Sequence, residues 1–166
     1  MKVLIIRRDN IGDLILTTPL ISTIAKDMNC KVDLLVNTYN QSIIENNPHV
    51  GKVFLYSKLH HRSKGTSSFK VLFQRLKTII DLRRAKYDVA IIAKEHWDKR
   101  PLQWAKLAGA KKIIAIGNDC PDIITDAIPE TQEQLHLVNL LDRLTGPLGC
   151  TSKPGPLELY VTPKEL

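Results

Sequence analysis

The apolar residues of the chain change period repeatedly, from short runs rich in branched side chains to longer stretches at helical spacing. Lys2–Ile6 (KVLII) reads as a buried strand, and Asp13–Lys26 as a helix with Leu14, Ile15, Leu20, Ile21 and Ile24 in phase. Lys31–Val36 is a second strand. A short helix over Gln41–Asn46 stops at Asn47-Pro48, because a proline drives the residue before it out of the α region. Lys52–Leu55 is a short third strand. The spacing predicts a long amphipathic helix over Ser68–Ala85, with Phe69, Leu72, Phe73, Leu76, Ile79 and Ile80 on one face. Tyr87–Ala93 is a fourth strand, apolar throughout its centre and so expected in mid-sheet. Pro101–Leu107 is a helix ended by Gly109, and Lys112–Ile116 is a fifth strand. A last helix over Glu133–Leu144 is closed by Gly146-Pro147. Alternation of this kind implies an α/β fold, a doubly wound, mostly parallel, Rossmann-like sheet.

With 166 residues, of which 43% are hydrophobic, the chain suits one domain with a core of its own. Cys30, Cys120 and Cys150 are odd in number and widely spaced, so neither a disulfide framework nor a zinc site is implied. No metal-ligand constellation stands out. The opening MKVLIIRRDN has too short an apolar run for a signal peptide or a membrane span, and a soluble, cytoplasmic protein is expected. The net charge of +7 favours an anionic partner without saying which. Aromatic content is only 5%, the basic residues are dispersed, and RRM, KH and zinc signatures are missing, so nucleic acid is not the expected partner. The tail from Lys153 to Leu166 is proline-bounded and extended, as an inter-domain linker is; residues 1–152 form the domain proper.

In sheets of this class, ligands gather at the carboxyl ends of the strands. The loop after the first strand reads Arg7-Arg8-Asp9-Asn10-Ile11-Gly12-Asp13. Gly12 allows a tight turn into the helix and close approach of a ligand to the backbone. One glycine does not make a dinucleotide fingerprint, and Walker A spacing is lacking. Asp13 has two readings. It caps the helix, where free N–H groups and the dipole favour a negative charge, or it faces the crevice as a general base. Periodicity leaves both open.

The string IIRRDNIGDLILTTPLISTIAKDMNCKVDLLVN resembles the opening of glycosyltransferase family 9, the ADP-heptose:lipopolysaccharide heptosyltransferases. Gly12-Asp13, Thr18-Pro19 and Asp33–Asn37 carry the likeness in order. KYDVAII, LAGAKKIIAIGN and HLVNLLDRLTGPLG are similar to the fourth strand, fifth strand and last helix of that family. The resemblance implies the N-terminal half of a GT-B fold, with this half holding the acceptor and a C-terminal half, absent from this chain, holding the ADP-heptose donor. It also implies an inverting transfer without metal or cofactor, with Asp13 as the base. A family member is about twice as long, so the chain alone is expected to bind acceptor weakly and to transfer nothing.

The acceptor so implied is the lipopolysaccharide inner core, rich in carboxylates and phosphates. Asn10 and Gly12 in the first loop, and Arg62, Lys64 and Lys94 after later strands, are the candidate contacts to it. A solvated charged loop explains Arg62 and Lys64 equally well. Glu95-His96-Trp97 departs from the family pattern; Trp97 is expected to pack. His136 is expected to be structural, and Arg83, Arg84 and Lys86 complement a helix terminus. A lipid-anchored acceptor gives the basic surface a second use, weak peripheral attraction to the cytoplasmic face of the inner membrane. Two alternatives remain: a GT-B enzyme with another sugar donor, and a non-enzymatic module that binds nucleic acid or other anions.

Overall fold

The computed structural model describes residues 1–56 and 68–160. Eleven elements follow in order: β1 (Val3–Ile6), α1 (Ile11–Asp27), β2 (Val32–Asn37), α2 (Gln41–Ile44), β3 (Val50–Tyr56), α3 (Ser68–Ala85), β4 (Val89–Ile92), α4 (Lys99–Ala108), β5 (Lys112–Ile116), β6 (Asp126–Ile128) and α5 (Leu137–Asp142). Single 3₁₀ segments precede α2 at Thr38–Asn40 and follow α5 at Arg143–Leu148. The strands make one six-stranded sheet in the order β3-β2-β1-β4-β5-β6, and every pairing is parallel.

Side chains of a strand alternate between the two faces, and here both faces are covered. Val3, Ile5, Leu34, Val36, Ile91 and Ile114 point to the side holding Leu14, Ile21 and Ile24 of α1, Ile44 of α2 and Leu141 of α5. Leu4, Ile6, Leu35, Ala90, Ile92 and Ile113 point to the side holding Leu82 of α3 and Leu102, Trp104 and Ala105 of α4. Each such Leu or Ile, removed wholly from water, contributes roughly 1.5–3 kcal/mol. β1 and β4 lie at the centre, register Ile5 against Ile91, and mark the point where strand order reverses.

Helix α1 contains Pro19 in its interior, which takes away the N–H that the carbonyl of Ile15 would accept. The hydroxyl of Thr18 donates to that carbonyl instead, at 2.7 Å, and the hydroxyl of Ser22 donates to the carbonyl of Pro19 at 3.1 Å. Thr18 Oγ1 in turn accepts from the backbone N–H of Glu158, 2.9 Å away. Thr18→Val keeps the shape and loses both bonds of the Thr18 hydroxyl, so a stability loss of about 1–3 kcal/mol is expected in denaturant titration. The C-terminal stretch is tied to α1 again by Asp27, whose carboxylate accepts from the N–H groups of Thr151 and Ser152 at 2.8 and 2.9 Å. The Ser152 hydroxyl is the largest influence, with these N–H groups next, in holding the Asp27 carboxyl below its ordinary value.

Three expectations need correction. A sixth strand, β6, extends the sheet beyond β5; its three residues Asp-Ala-Ile are too few and too polar to announce themselves. The last helix begins at Leu137 rather than Glu133, because His136 sits extended at its N-cap and its Nδ1 accepts from the N–H of Val138 at 3.4 Å. The structural reading of His136 therefore stands. Finally, most of the apolar face of α3 is solvent-facing: Phe69, Leu72, Phe73, Leu76 and Ile80 are exposed, Ile79 is partly buried against the core, and Leu82 is the fully buried anchor. Arg83 reaches across to α4, where its Nε donates to the carbonyl of Leu107 at 3.0 Å.

Tyr87, buried just before β4, donates its hydroxyl to Asp33 Oδ2 at 2.6 Å. Burial, and then the neighbouring carboxylate, push the phenol far above its ordinary value. A raised folded-state value means that stability is fully present below about pH 10, the unfolded value, and falls as pH rises beyond it. The alkaline limb of a pH–stability curve is thus expected to be less steep in Tyr87→Phe than in the parent.

Candidate active site at the β1–β4 carboxyl edge

The loop from Arg7 to Asn10 leaves β1 at the reversal point and turns directly into α1. Its carbonyls would be orphaned there without side-chain donors. Asn37, the last residue of β2, donates from Nδ2 to the carbonyls of Arg8 and Asp9, and Asn40 Nδ2 donates to the carbonyl of Asp9 at 3.0 Å. The hydroxyl of Tyr39 reaches the same Asp9 carbonyl at 3.2 Å. Three residues from the end of β2 thus fix the path of the loop.

Arg7 is the buried centre of the site, with only 1% of its side chain exposed. A buried guanidinium is tolerated only when paired and hydrogen-bonded. Its Nη1 donates to the carbonyl of Ala93 at the end of β4. Its Nη2 lies 3.3 Å from Asp13 Oδ1, its Nε 3.6 Å from Asp9 Oδ2, and its Nη1 3.9 Å from Glu95 Oε2. One cation therefore gathers three carboxylates from two strand ends. Lys94 Nζ adds a second cation, 3.8 Å from Asp9 Oδ1 and 3.3 Å from Asp98 Oδ2. Burial alone would raise the Asp98 carboxyl, but the N–H of Arg100 and the ammonium of Lys94 outweigh it and hold the value low.

Asp13 occupies the third position of α1, since the helix starts two residues earlier than the pattern suggested. Its Oδ2 accepts from the backbone N–H of Asn10 at 3.3 Å, the reciprocal half of a capping box. The capping role is real. It occupies one oxygen and Arg7 faces the other, yet about 30% of the side chain is open to solvent. Gly12 beside it has an ordinary helical backbone, and a Cβ built there would meet nothing within 4 Å. The glycine is therefore not demanded by the turn, contrary to expectation. The surface at Gly12 is open to solvent. Asn10, the exposed N-cap, borders the same surface.

The structure brings Asn10, Gly12, Asp13 and Lys94 to one edge. Arg62 and Lys64 lie outside the described residues. Arg8 turns to the other face, where its guanidinium stacks 4.0 Å over the ring of Tyr56. With Asp9, Lys94, Asp98, Arg100 and Pro101 it lines a small pocket of about 90 Å³. Trp97 packs, as expected: its ring lies against Gly117, where a Cβ would stand 2.5 Å from Trp97 Cδ1. Among the described residues no cluster of three or more His, Cys, Asp or Glu is arranged to hold a metal ion. None of their helices is long and apolar enough to cross a membrane.

The fold is a six-stranded, all-parallel, Rossmann-like sheet with a carboxylate at its reversal point. No family model matches the chain. Among curated proteins it is similar to lipopolysaccharide heptosyltransferase 3 of Escherichia coli K12, with 31% identity over 87 residues, or 52% of this chain and 24% of that one. Among solved structures it matches a family 9 glycosyl transferase of Veillonella parvula (TM-score 0.78, 17% identity, 98% of this chain and 46% of that one). It also matches E. coli heptosyltransferase WaaC with ADP (TM-score 0.75, 19% identity, 91% and 48%) and E. coli ADP-heptose lps heptosyltransferase II (TM-score 0.71, 18% identity, 99% and 48%). The chain thus spans about half the length of these solved relatives. The resemblance to family 9 heptosyltransferases read from the first loop holds in sequence over half the chain and in fold over nearly all of it.

Proposed function

We propose that this chain is the acceptor-binding half of an inverting glycosyltransferase that moves heptose from ADP-heptose to the lipopolysaccharide inner core. The observation that carries the reading is Asp13: a carboxylate at the sheet reversal, steadied by Arg7 and the Asn10 N–H, with about 30% of its side chain open to solvent. In the step proposed, an acceptor hydroxyl gives its proton to Asp13 as its oxygen bonds to the anomeric carbon. The bond from that carbon to the ADP phosphate breaks on the opposite side, and ADP leaves with the electron pair. Neither cofactor nor metal takes part. Lys94, and Arg62 and Lys64 beyond the described residues, would pair with acceptor phosphates and carboxylates. Residues 153–166 would lead toward a donor-binding half, and the enzyme would work at the cytoplasmic face of the inner membrane.

Titration of the chain with an acidic inner-core oligosaccharide, followed by amide NMR, tests this. Saturable shifts at Gly12, Asp13 and Lys94, absent with ADP-sugar, are expected. Silence at these amides, with the fold intact, would return Asp13 to a helix cap and leave the proposed acceptor site without support.

A further inference from the structure

The outward side of α3 carries a second surface. Phe69, Leu72, Phe73, Leu76 and Ile80 are 75, 55, 65, 50 and 48% exposed. At about 100° of turn per residue these positions fall within roughly 100° of arc. Val71, Thr78, Leu82 and Ala85 fall on the opposite side, and it is that side which packs inward, with Leu82 fully buried. The helix is therefore apolar on both sides, and its wetter side is the one with two phenylalanines.

Cations border the outer stripe. Lys70, Lys77 and Arg84 are spaced by seven residues, which sets them in one row along its flank, all exposed. Arg75 and Arg83 are engaged elsewhere, over Trp104 at 5.5 Å and on the Leu107 carbonyl. Asp81 is the single acid of the helix. An exposed stripe of Phe, Leu and Ile beside a row of Lys and Arg is the composition of a helix that lies in a membrane interface. Residues 57–67 (SKLHHRSKGTS) offer one large apolar side chain and three further cations, so their composition suits headgroups rather than the stripe. A second copy would bring the same three cations to the stripe and a single acid, Asp81, to meet them.

We propose that α3 docks on an anionic phospholipid surface, its phenylalanines and leucines entering the headgroup–acyl boundary and Lys70, Lys77 and Arg84 meeting phosphates. This rests on the membrane location in the proposed function and names the surface that would serve it; vesicles without saccharide test it apart from the acceptor site. The test is co-sedimentation of the chain with phosphatidylglycerol vesicles and with phosphatidylcholine vesicles. Binding to phosphatidylglycerol is expected to fall about tenfold or more when salt is raised, and likewise in Leu72→Gln/Phe73→Gln/Leu76→Gln and in Lys70→Gln/Lys77→Gln/Arg84→Gln. In Phe73→Trp, which keeps the face apolar and so guards against a misfolded variant, tryptophan emission is expected to gain a blue shift on mixing. Equal binding by the substituted chains, equal binding to both lipids, or an unshifted Phe73→Trp spectrum would overturn the proposal. So would a parent dimer that the apolar substitutions dissociate in the absence of vesicles, which would make the face a contact between copies.

Discussion

Asp13→Asn, carried in a two-domain enzyme with this chain as its first half, is expected to lower kcat by about 10²–10⁴-fold with little change in acceptor affinity. Asparagine keeps the volume and can still accept the Asn10 N–H, but its amide cannot take the proton of an incoming hydroxyl. The fold should survive, because Arg7 retains Asp9 and Glu95 as partners. Stability would fall by about 1 kcal/mol for the weakened cap and ion pair. Kinetics and a thermal melt on the same variant separate the two roles of Asp13. A cap alone moves the melt and spares kcat; a base moves kcat far more than the melt.

The second large effect belongs to Arg7. Arg7→Met matches the volume of the side chain without its charge, leaving Asp9, Asp13 and Glu95 facing one another with no guanidinium among them. Removal of one partner from a buried ionic cluster costs about 3–5 kcal/mol. For a domain of this size that corresponds to a fall in Tm of roughly 6–20 °C. Arg7→Lys restores a charge but not the fork that spans the Ala93 carbonyl and Asp13, so an intermediate Tm is expected. A Tm for Arg7→Met equal to that of the parent would show that the cluster is solvated and that Arg7 does not organise the site.

Much of the fold was legible because the central strands are buried on both faces and so read as unbroken apolar runs. KVLII and YDVAIIA became β1 and β4, adjacent at the middle of the sheet. The winding followed from the alternation of periods. What escaped did so for physical reasons. β6 is three residues at an edge, held to β5 by backbone pairing that any sequence could make. The face of α3 escaped because a hydrophobic stripe says that a helix has an apolar side, not what that side meets.

The site was legible in part. Asp13 stood out because a carboxylate after Gly12 at a strand-to-helix junction is chemically placed, and the resemblance singled it out. Arg7 did not. An arginine pair after a strand looks like a charged loop, and the burial of Arg7 depends on Asp9, Asp13, Glu95 and the Ala93 carbonyl converging from both strand ends. That convergence exists only in three dimensions. Asn37 offered a weak signal, an amide ending an otherwise apolar strand at the ligand edge, where its donors meet the carbonyls of the first loop.

The most direct measurement is a crystal structure of the chain with an inner-core oligosaccharide bound. The acceptor should lie across the β1–β4 edge, with one sugar hydroxyl about 2.6–3.2 Å from an Asp13 carboxylate oxygen and an acidic group near Lys94. An oligosaccharide seated away from this edge, with Asp13 contacting only Asn10 and Arg7, would contradict the assignment of the site.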